Sequence, residues 1–175
     1  MNALTPADVR AALNAAGLEI EVRFLDESSA TAPQAAAALH TELGSIVKSL
    51  VFMVNDEPIV VLTAGDQLVH DKKLAAYFAV SRKKVRIAKP EQCIEHVGYE
   101  PGGVPPLGHR RDDLKILIDE TLSRFEIVYA AAGAHNTIFP IPYQTLVSVT
   151  GGIPMDVIKD ENNNDSTEKT QAARG

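Results

Sequence analysis

Two apolar, β-branched runs joined by a short polar turn constrain this chain most strongly. The runs are residues Ile46 to Val54 and Ile59 to Thr63, and Asn55-Asp56-Glu57-Pro58 lies between them. That spacing is typical of a β-hairpin. Ile59 to Leu62 is apolar at successive positions, so both faces of the second strand should be covered by other elements.

Helices are predicted on either side of this hairpin, and proline marks most of their starts, as expected for the first helical turn. The predicted helices run from Thr5-Pro6 to about Ala16, from Thr31 to near Gly44, from Asp71 to Phe78, from Pro90 to Val97 and from Pro142 to Thr150. In the third of these, Asp71 is placed as the helix cap. Further short strands are expected at residues 85–88, 114–118, 127–131 and 138–141. This order lacks the regular strand-helix-strand alternation of a doubly wound sheet, and it predicts an α+β domain with a mixed sheet.

Composition bounds the class of protein. The chain has 175 residues, 45% of them hydrophobic, and one cysteine, Cys93. We expect one folded domain over residues 1–158 and a disordered polar tail over residues 159–175. A single cysteine argues against a disulfide framework and a thiolate metal cluster. The apolar runs are too short to cross a bilayer and the first residues lack a secretory pattern, so we expect a cytoplasmic protein.

Charge gives an ambiguous indication about partners. The net charge is −6, which disfavours tight, unspecific DNA binding. Two local basic segments nevertheless stand out: Arg82-Lys83-Lys84 with Arg86, and His109-Arg110-Arg111 with Lys115. Each is either a solvated surface or part of a nucleic-acid interface, and the sequence leaves both interpretations open.

The segment from Gly98 to His109 is the most informative candidate site. It contains four glycines and three prolines, a composition that excludes a regular helix or a central strand. Glycine permits close approach of the backbone to a ligand, and proline stiffens the loop, so its amides could hold an oxyanion or orient a water molecule. A tight structural connection explains the same residues equally well.

Lys48 is the second candidate, because it interrupts the otherwise apolar strand Ile46-Val47-Lys48-Ser49-Leu50-Val51-Phe52. It either reaches the surface and protects an edge strand, or presents a rigidly held cation to a phosphate or carbonyl. The third candidate is Gly133-Ala134-His135-Asn136, which follows a predicted strand and could line a pocket or form a turn. The histidines show no metal-ligand spacing and a Gly-x-Ser-x-Gly elbow is absent, so a hydrolase here would depend on positioned water.

Taken together, these segments resemble one family. The Lys48 strand resembles its lysine strand, and Gly102-Gly103-Val104-Pro105-Pro106-Leu107-Gly108-His109 resembles its Gly-x-x-x-Pro loop. The intervening and following order also fits: Gly65-Asp66, Lys73-Leu74-Ala75, Ile118-Asp119 and Ala132-Gly133. The family is the YbaK/EbsC, or prolyl-tRNA-synthetase insertion-like, aminoacyl-tRNA editing domain, and the resemblance runs from about Thr31 to Gly152.

The resemblance implies a compact α+β domain with a mixed, barrel-like sheet surrounded by helices. It implies hydrolysis of the ester between an amino acid and the 3′-terminal adenosine of a mischarged tRNA, typically tRNA-Pro, without metal or cofactor, and a prolyl-tRNA synthetase as a candidate partner. Lys48 and Gly102 would be the catalytic positions. The residues that would contact substrate are Ser49, Gly103, Val104, Pro105, Pro106, Gly108, His109, Gly133, Ala134, His135 and Asn136.

The amino acid that is removed stays open. Cysteine-specific deacylases of this family resemble Gly-Gly-x-Ser-Pro in the loop, whereas this chain has Val104-Pro105-Pro106 after its two glycines. Ser49 follows the lysine where alanine-specific relatives tend to have asparagine. Two other functions compete with the deacylase: a non-catalytic tRNA-binding module and a hydrolase of small activated acyl compounds.

Overall fold

A mixed β-sheet organises the fold, which a computed structural model describes for residues 1–26 and 31–160. The helices are α1 (Pro6–Ala15), α2 (Ala32–Leu39), α3 (Asp71–Phe78), α4 (Pro90–His96) and α5 (Tyr143–Thr150). The strands are β1 (Arg23–Phe24), β2 (Ile46–Val54), β3 (Glu57–Ala64), β4 (Val85–Ile87), β5 (Lys115–Asp119), β6 (Ile127–Ala131), β7 (Thr137–Pro142) and β8 (Ile153–Met155). Short 3-10 turns lie at Leu43–Ser45, Arg82–Lys84 and Glu120–Arg124.

The strand order is β1-β7-β6-β2-β3-β5-β8, and β4 pairs with β2 beside this path. The pairs β2–β6, β3–β5 and β5–β8 are parallel, and the remaining pairs are antiparallel. The predicted α+β domain with a mixed sheet is therefore confirmed. The sheet is open and does not close into a barrel, because β1 and β8 form its two ends within the described residues.

The predicted hairpin is confirmed, with a tighter turn than expected. Asn55 and Asp56 both have positive φ, 50° and 66°, as a two-residue type I′ turn requires. Glu57 and Pro58 therefore already belong to β3. The predicted burial of β3 on both faces is also confirmed, since Ile59 to Leu62 are at most 3% exposed.

Two helix predictions need correction, and two short strands were not predicted. The second helix ends at Leu39 instead of near Gly44, because His40 adopts a left-handed conformation and the Thr41 amide donates to the Ala36 carbonyl, a common helix end. In α3, His70 occupies the cap and Asp71 is the first helical residue. Strands β1 and β8 were not predicted, because two or three residues are too few to show an alternating pattern.

A gap in the sheet beside β2 positions the candidate site. Strand β6 pairs with β2 only at Ile46 and Val47, and β4 pairs with it only from Phe52 to Val54. Between them the Ala88 amide donates to the Val51 carbonyl. The outer edge of β2 around Ser49 therefore lacks a neighbouring strand in the described part of the chain.

The end of the described chain folds back onto the domain. The Lys159 amide donates to the Leu68 carbonyl, and Asp160 forms an ion pair with Lys73 at 3.0 Å. These two residues belong to the segment predicted as a disordered tail; its remaining residues, 161–175, lie outside the described ranges. None of the helices in the described residues combines the length and apolarity that a membrane span requires.

Candidate active site

A cavity of about 220 Å³ lies at the gap beside β2. Its walls come from the start of α2, from β2, from the glycine-proline loop and from the ends of β6 and β7. The lining residues are Thr31, Ala32, Ala35, Ile46, Val47, Lys48, Ser49, Leu50, Gly102, Val104, Ala131, His135, Thr137 and Ile138. Lys48 and the loop glycine Gly102, which are 54 positions apart in the sequence, therefore border the same space.

Lys48 is half-buried and its ammonium donates to the Gln67 carbonyl at 2.9 Å. Burial lowers the pKa of Lys48 below the ordinary 10.5, while the nearby carboxylates of Asp66 and Asp119 act in the opposite direction. An ammonium has three donors, so the bond to Gln67 leaves donors for a ligand in the cavity.

The two carboxylates near Lys48 accept their hydrogen bonds from groups other than Lys48. Asp66 accepts two hydrogen bonds from the Arg124 guanidinium, at 2.8 and 3.0 Å. The side chain of buried Asp119 accepts from the amides of Ala64 and Thr121, at 3.0 and 2.9 Å. Because both acids are held by other donors, they support the positive charge of Lys48 from a distance.

Ser49 contributes main-chain groups to the cavity. The Gly65 amide donates to the Ile46 carbonyl, so the main-chain groups of Ile46 point towards β3. In an antiparallel pair this direction alternates along the strand. Lys48 and Leu50 therefore also direct their main-chain groups to β3, and Ser49 directs its own to the opposite edge of β2. That edge is the gap in the sheet. The Ser49 hydroxyl is also buried without a hydrogen-bond partner among the described residues.

The glycine-proline loop is held by its own hydrogen bonds. The Tyr99 hydroxyl donates to the Gly108 carbonyl at 3.0 Å, and His109 Nε2 lies 2.7 Å from the Pro105 carbonyl. Gly102 has a φ of +88° and open space where a Cβ would stand, so its backbone is accessible. Gly103 accepts a bond from the Gly133 amide at 2.9 Å, which fixes the loop against the segment after β6.

The structure brings some of the predicted site residues to this cavity and places others elsewhere. Lys48, Ser49, Gly102, Val104 and His135 line it. Gly103, Gly133 and Ala134 line a neighbouring cavity of about 260 Å³, to which His135 also contributes. Pro106, Gly108 and His109 line a separate cavity of about 300 Å³. Pro105 is buried, and the Asn136 amide donates to the Leu25 carbonyl.

The wall formed by α2 was not predicted from the sequence. Thr31, Ala32 and Ala35 line the cavity, and Ala35 is only 6% exposed. The alanine-rich start of this helix was the available signal, because small side chains on a buried face leave space next to them. Thr137 was also missed, and its hydroxyl fixes the turn by donating to the Ala134 carbonyl at 2.7 Å.

Comparison with known proteins decides the family. A family model described as the aminoacyl-tRNA editing domain matches residues 26–149, more than half of the chain. The chain belongs to the aminoacyl-tRNA editing domain family. The resemblance inferred from the Lys48 strand and the Gly102 loop is thereby confirmed.

Individual relatives of this editing domain are of two kinds. The Bacillus subtilis protein YwhH, described as uncharacterised, is 33% identical over 144 residues, covering 81% of this chain and 89% of YwhH. A proline–tRNA ligase of Lactobacillus gasseri is 35% identical over 92 residues, covering 53% of this chain but 15% of the ligase. The editing domain therefore corresponds to a small part of such ligases.

Solved structures agree with this assignment. A crystal structure described as that of a candidate trans-editing enzyme for prolyl-tRNA synthetase superimposes with a TM-score of 0.83 at 32% sequence identity. It covers 89% of this editing domain chain and 97% of the other chain. The two proteins thus share their fold over nearly their whole described length.

Proposed function

We propose that this chain is a trans-acting deacylase that hydrolyses the ester of a mischarged aminoacyl-tRNA. The substrate that we propose is tRNA-Pro carrying a small amino acid. The observation that carries the proposal is the shared cavity of Lys48 and Gly102. Family membership and the similarity to a candidate trans-editing enzyme for prolyl-tRNA synthetase support it. The similarity to proline–tRNA ligases supports tRNA-Pro as the RNA and a prolyl-tRNA synthetase as a partner.

The size of the cavity favours a small aminoacyl group. Its volume of about 220 Å³ is below the roughly 300–1,000 Å³ of sites that enclose a drug-sized ligand. Alanines at positions 32, 35 and 131 leave that space, and Ile46, Val47 and Ile138 give it apolar walls. A cavity of this size takes a small side chain and leaves the adenosine at its opening, so larger amino acids are excluded by sterics.

The reaction is the addition of water to an ester. The water oxygen bonds to the carbonyl carbon, the bond from that carbon to the ribose 3′ oxygen breaks, and the 3′ oxygen takes the proton that the water gives up. The products are a free amino acid and a tRNA with its 3′ hydroxyl restored. An aminoacyl ester is already activated, so positioning and charge stabilisation supply the needed rate without a covalent intermediate.

Each part of the site has a role in this proposal. The Lys48 ammonium, fixed on β2 and bonded to Gln67, stabilises negative charge on the carbonyl oxygen or on the terminal phosphate. The accessible backbone at Gly102 orients the water and the ester. The main-chain groups of Ser49 meet the aminoacyl group at the gap in the sheet.

The test is deacylation of a panel of mischarged tRNAs by the wild type, Lys48→Ala and the exposed-lysine control Lys72→Ala. We expect Lys48→Ala to lower kcat/KM by about 100- to 1,000-fold, as for loss of one oxyanion donor, and Lys72→Ala to match the wild type. Deacylation that survives Lys48→Ala would contradict the role of this cation. Binding of tRNA without any cleavage by the wild type would instead support the non-catalytic module.

A further inference from the structure

The two basic segments of the sequence differ in how the fold uses their charges. In the second segment, the Arg110 guanidinium donates to the carbonyls of Ile94 and Asn2. Arg111 forms two hydrogen bonds with Asp113, at 2.7 and 2.8 Å. The Lys115 ammonium lies 5.2 Å from the centre of the Tyr77 ring. The second segment therefore serves mainly to join parts of the domain.

The first segment, extended to residues 82–89 so that it includes Lys89, keeps more of its charge available. Lys83, Lys84 and Lys89 are exposed and form no ion pair with any residue in the ranges 1–26 and 31–160. Arg82 pairs with Asp71 at 3.0 Å, and Arg86 lies 3.7 Å from Asp56, a carboxylate with 88% of its side chain exposed. Three lysines thus face solvent without a carboxylate partner in the described structure.

The C-terminal end of this segment lies next to the gap in the sheet. Ile87 pairs with Phe52 and the Ala88 amide donates to Val51, so Lys89 follows directly at the end of the gap where Leu50 lines the cavity. Because β4 is antiparallel to β2, the chain from Lys89 back to Lys83 leads away from the cavity along the sheet edge.

The surface between these cations suits a nucleotide strand. Strand β4 pairs only with β2 among the described strands, so no described strand covers its other edge. Ile87 is 56% exposed and shares a face of the sheet with Phe52. An exposed apolar side chain among lysines offers a contact for a ribose or base next to contacts for phosphates.

We infer that residues 82–89, the β4 strip, are the docking surface for the acceptor arm of tRNA, with Lys83, Lys84 and Lys89 contacting phosphates of the strand that leads to the terminal adenosine. This inference rests on the proposed deacylase function. The net charge of −6 repels RNA from the molecule as a whole, so productive binding needs a local cationic surface that leads into the site.

The experiment compares two double variants of the full chain that each remove two positive charges, Lys83→Gln/Lys84→Gln and Arg111→Gln/Lys115→Gln. Binding of uncharged tRNA-Pro is measured over a salt series, and deacylation is measured with full aminoacyl-tRNA and with 3′-aminoacyl-adenosine. For the β4 variant we expect about tenfold weaker tRNA binding, a salt slope reduced by about 1.5 and a lost preference for tRNA over aminoacyl-adenosine. The double variant Lys83→Arg/Lys84→Arg should retain the affinity.

The outcomes separate this inference from the function on which it rests. Unchanged tRNA affinity and salt slope in the β4 variant, or a larger loss in the Arg111/Lys115 variant, would overturn the docking surface while leaving deacylation intact. Absence of hydrolysis of every substrate by the wild type would overturn the deacylase, and the binding series would still decide whether the β4 strip holds RNA.

Discussion

Lys48 combines two properties that oppose each other. Burial disfavours its charge and lowers its pKa, whereas Asp66 and Asp119 favour the charge. The proposed reaction needs the protonated form, because only the ammonium stabilises negative charge. Groups whose pKa is shifted by burial and by specific charged neighbours are common at functional sites, which agrees with the role proposed for Lys48.

The lowered pKa of Lys48 predicts a pH dependence that can be measured without turnover. Affinity for a non-hydrolysable aminoacyl-adenosine should fall as pH rises through the Lys48 pKa, at a pH below the ordinary lysine value of 10.5. Between the folded and unfolded pKa values the unfolded chain binds more protons, so stability should rise with pH across the same window. Calorimetric titration and urea unfolding over a pH series test the two signs.

Lys48→Arg is the matched variant for this titration. Arginine stays protonated throughout the accessible range, so the alkaline fall in affinity should disappear in this variant even where its affinity at neutral pH is lower. If the affinity of Lys48→Arg falls at the same pH and by the same factor as that of the wild type, a group other than Lys48 is responsible for the titration.

At the scale of single elements, the loop from Gly98 to His109 is held from within. Tyr99 is fully buried and its hydroxyl bonds to the Gly108 carbonyl, while burial raises its pKa to about 12. The phenol therefore remains a donor at any working pH. A loop held in this way can present the Gly102 backbone in one conformation.

Tyr99→Phe should lower the free energy of unfolding by about 1–2 kcal/mol, because it removes one hydrogen bond and leaves the Gly108 carbonyl without its donor. It should also lower kcat more than it changes tRNA affinity, since the loop orients water and ester in the proposed reaction. Urea unfolding and steady-state kinetics measure both effects. The control is Tyr77→Phe, because Tyr77 is 39% exposed and lies in edge contact with Phe78. An equal loss of stability and kcat in Tyr77→Phe would contradict the proposed role of the Tyr99 hydroxyl in holding the loop.

Helix α2 sets the size of the cavity through its alanines. Ala35→Leu adds three carbons to a side chain that is 6% exposed and lines the cavity. We expect the rate with the preferred small aminoacyl group to fall at least tenfold as the space is filled. Ala38→Leu, on the exposed side of the same helix, should keep the wild-type rate. Equal rates for Ala35→Leu and wild type would show that α2 does not bound the substrate.

The sequence allowed prediction of those elements that carry local signals. The β2–β3 hairpin followed from two β-branched runs and a polar turn, and α1 and α4 from a proline start and a glycine end. Lys48 and Gly102 were identified as a pair only through the family resemblance. The gap beside β2 could not be predicted, because it depends on where β6 stops pairing and β4 begins, and these are long-range registers without a local pattern.

For the molecule as a whole, the distribution of charge and the extent of the domain both bear on the proposed RNA binding. The protein is acidic overall, and the β4 strip groups three exposed lysines that form no ion pair with another described residue. Relatives occur both as a chain of similar extent, as in YwhH, and as about 15% of a proline–tRNA ligase. Under the proposed function, a domain that works without the rest of a ligase has to provide RNA docking from its own surface.

In the proposed deacylase, the gap in the sheet at Ser49 assigns two tasks to different groups. Main-chain groups bind the ester, and side chains select the amino acid. In the proposed reaction, the peptide groups on the edge of β2 that no described strand covers bind the ester, and every residue except proline would provide the same amide and carbonyl there. The alanines at positions 32, 35 and 131, by contrast, line the cavity with their side chains, so a substitution there changes the space without removing those peptide groups. In the proposed deacylase, exchanging a few side chains around the cavity would therefore change the amino acid that is removed, while the main-chain groups that bind the ester stay the same.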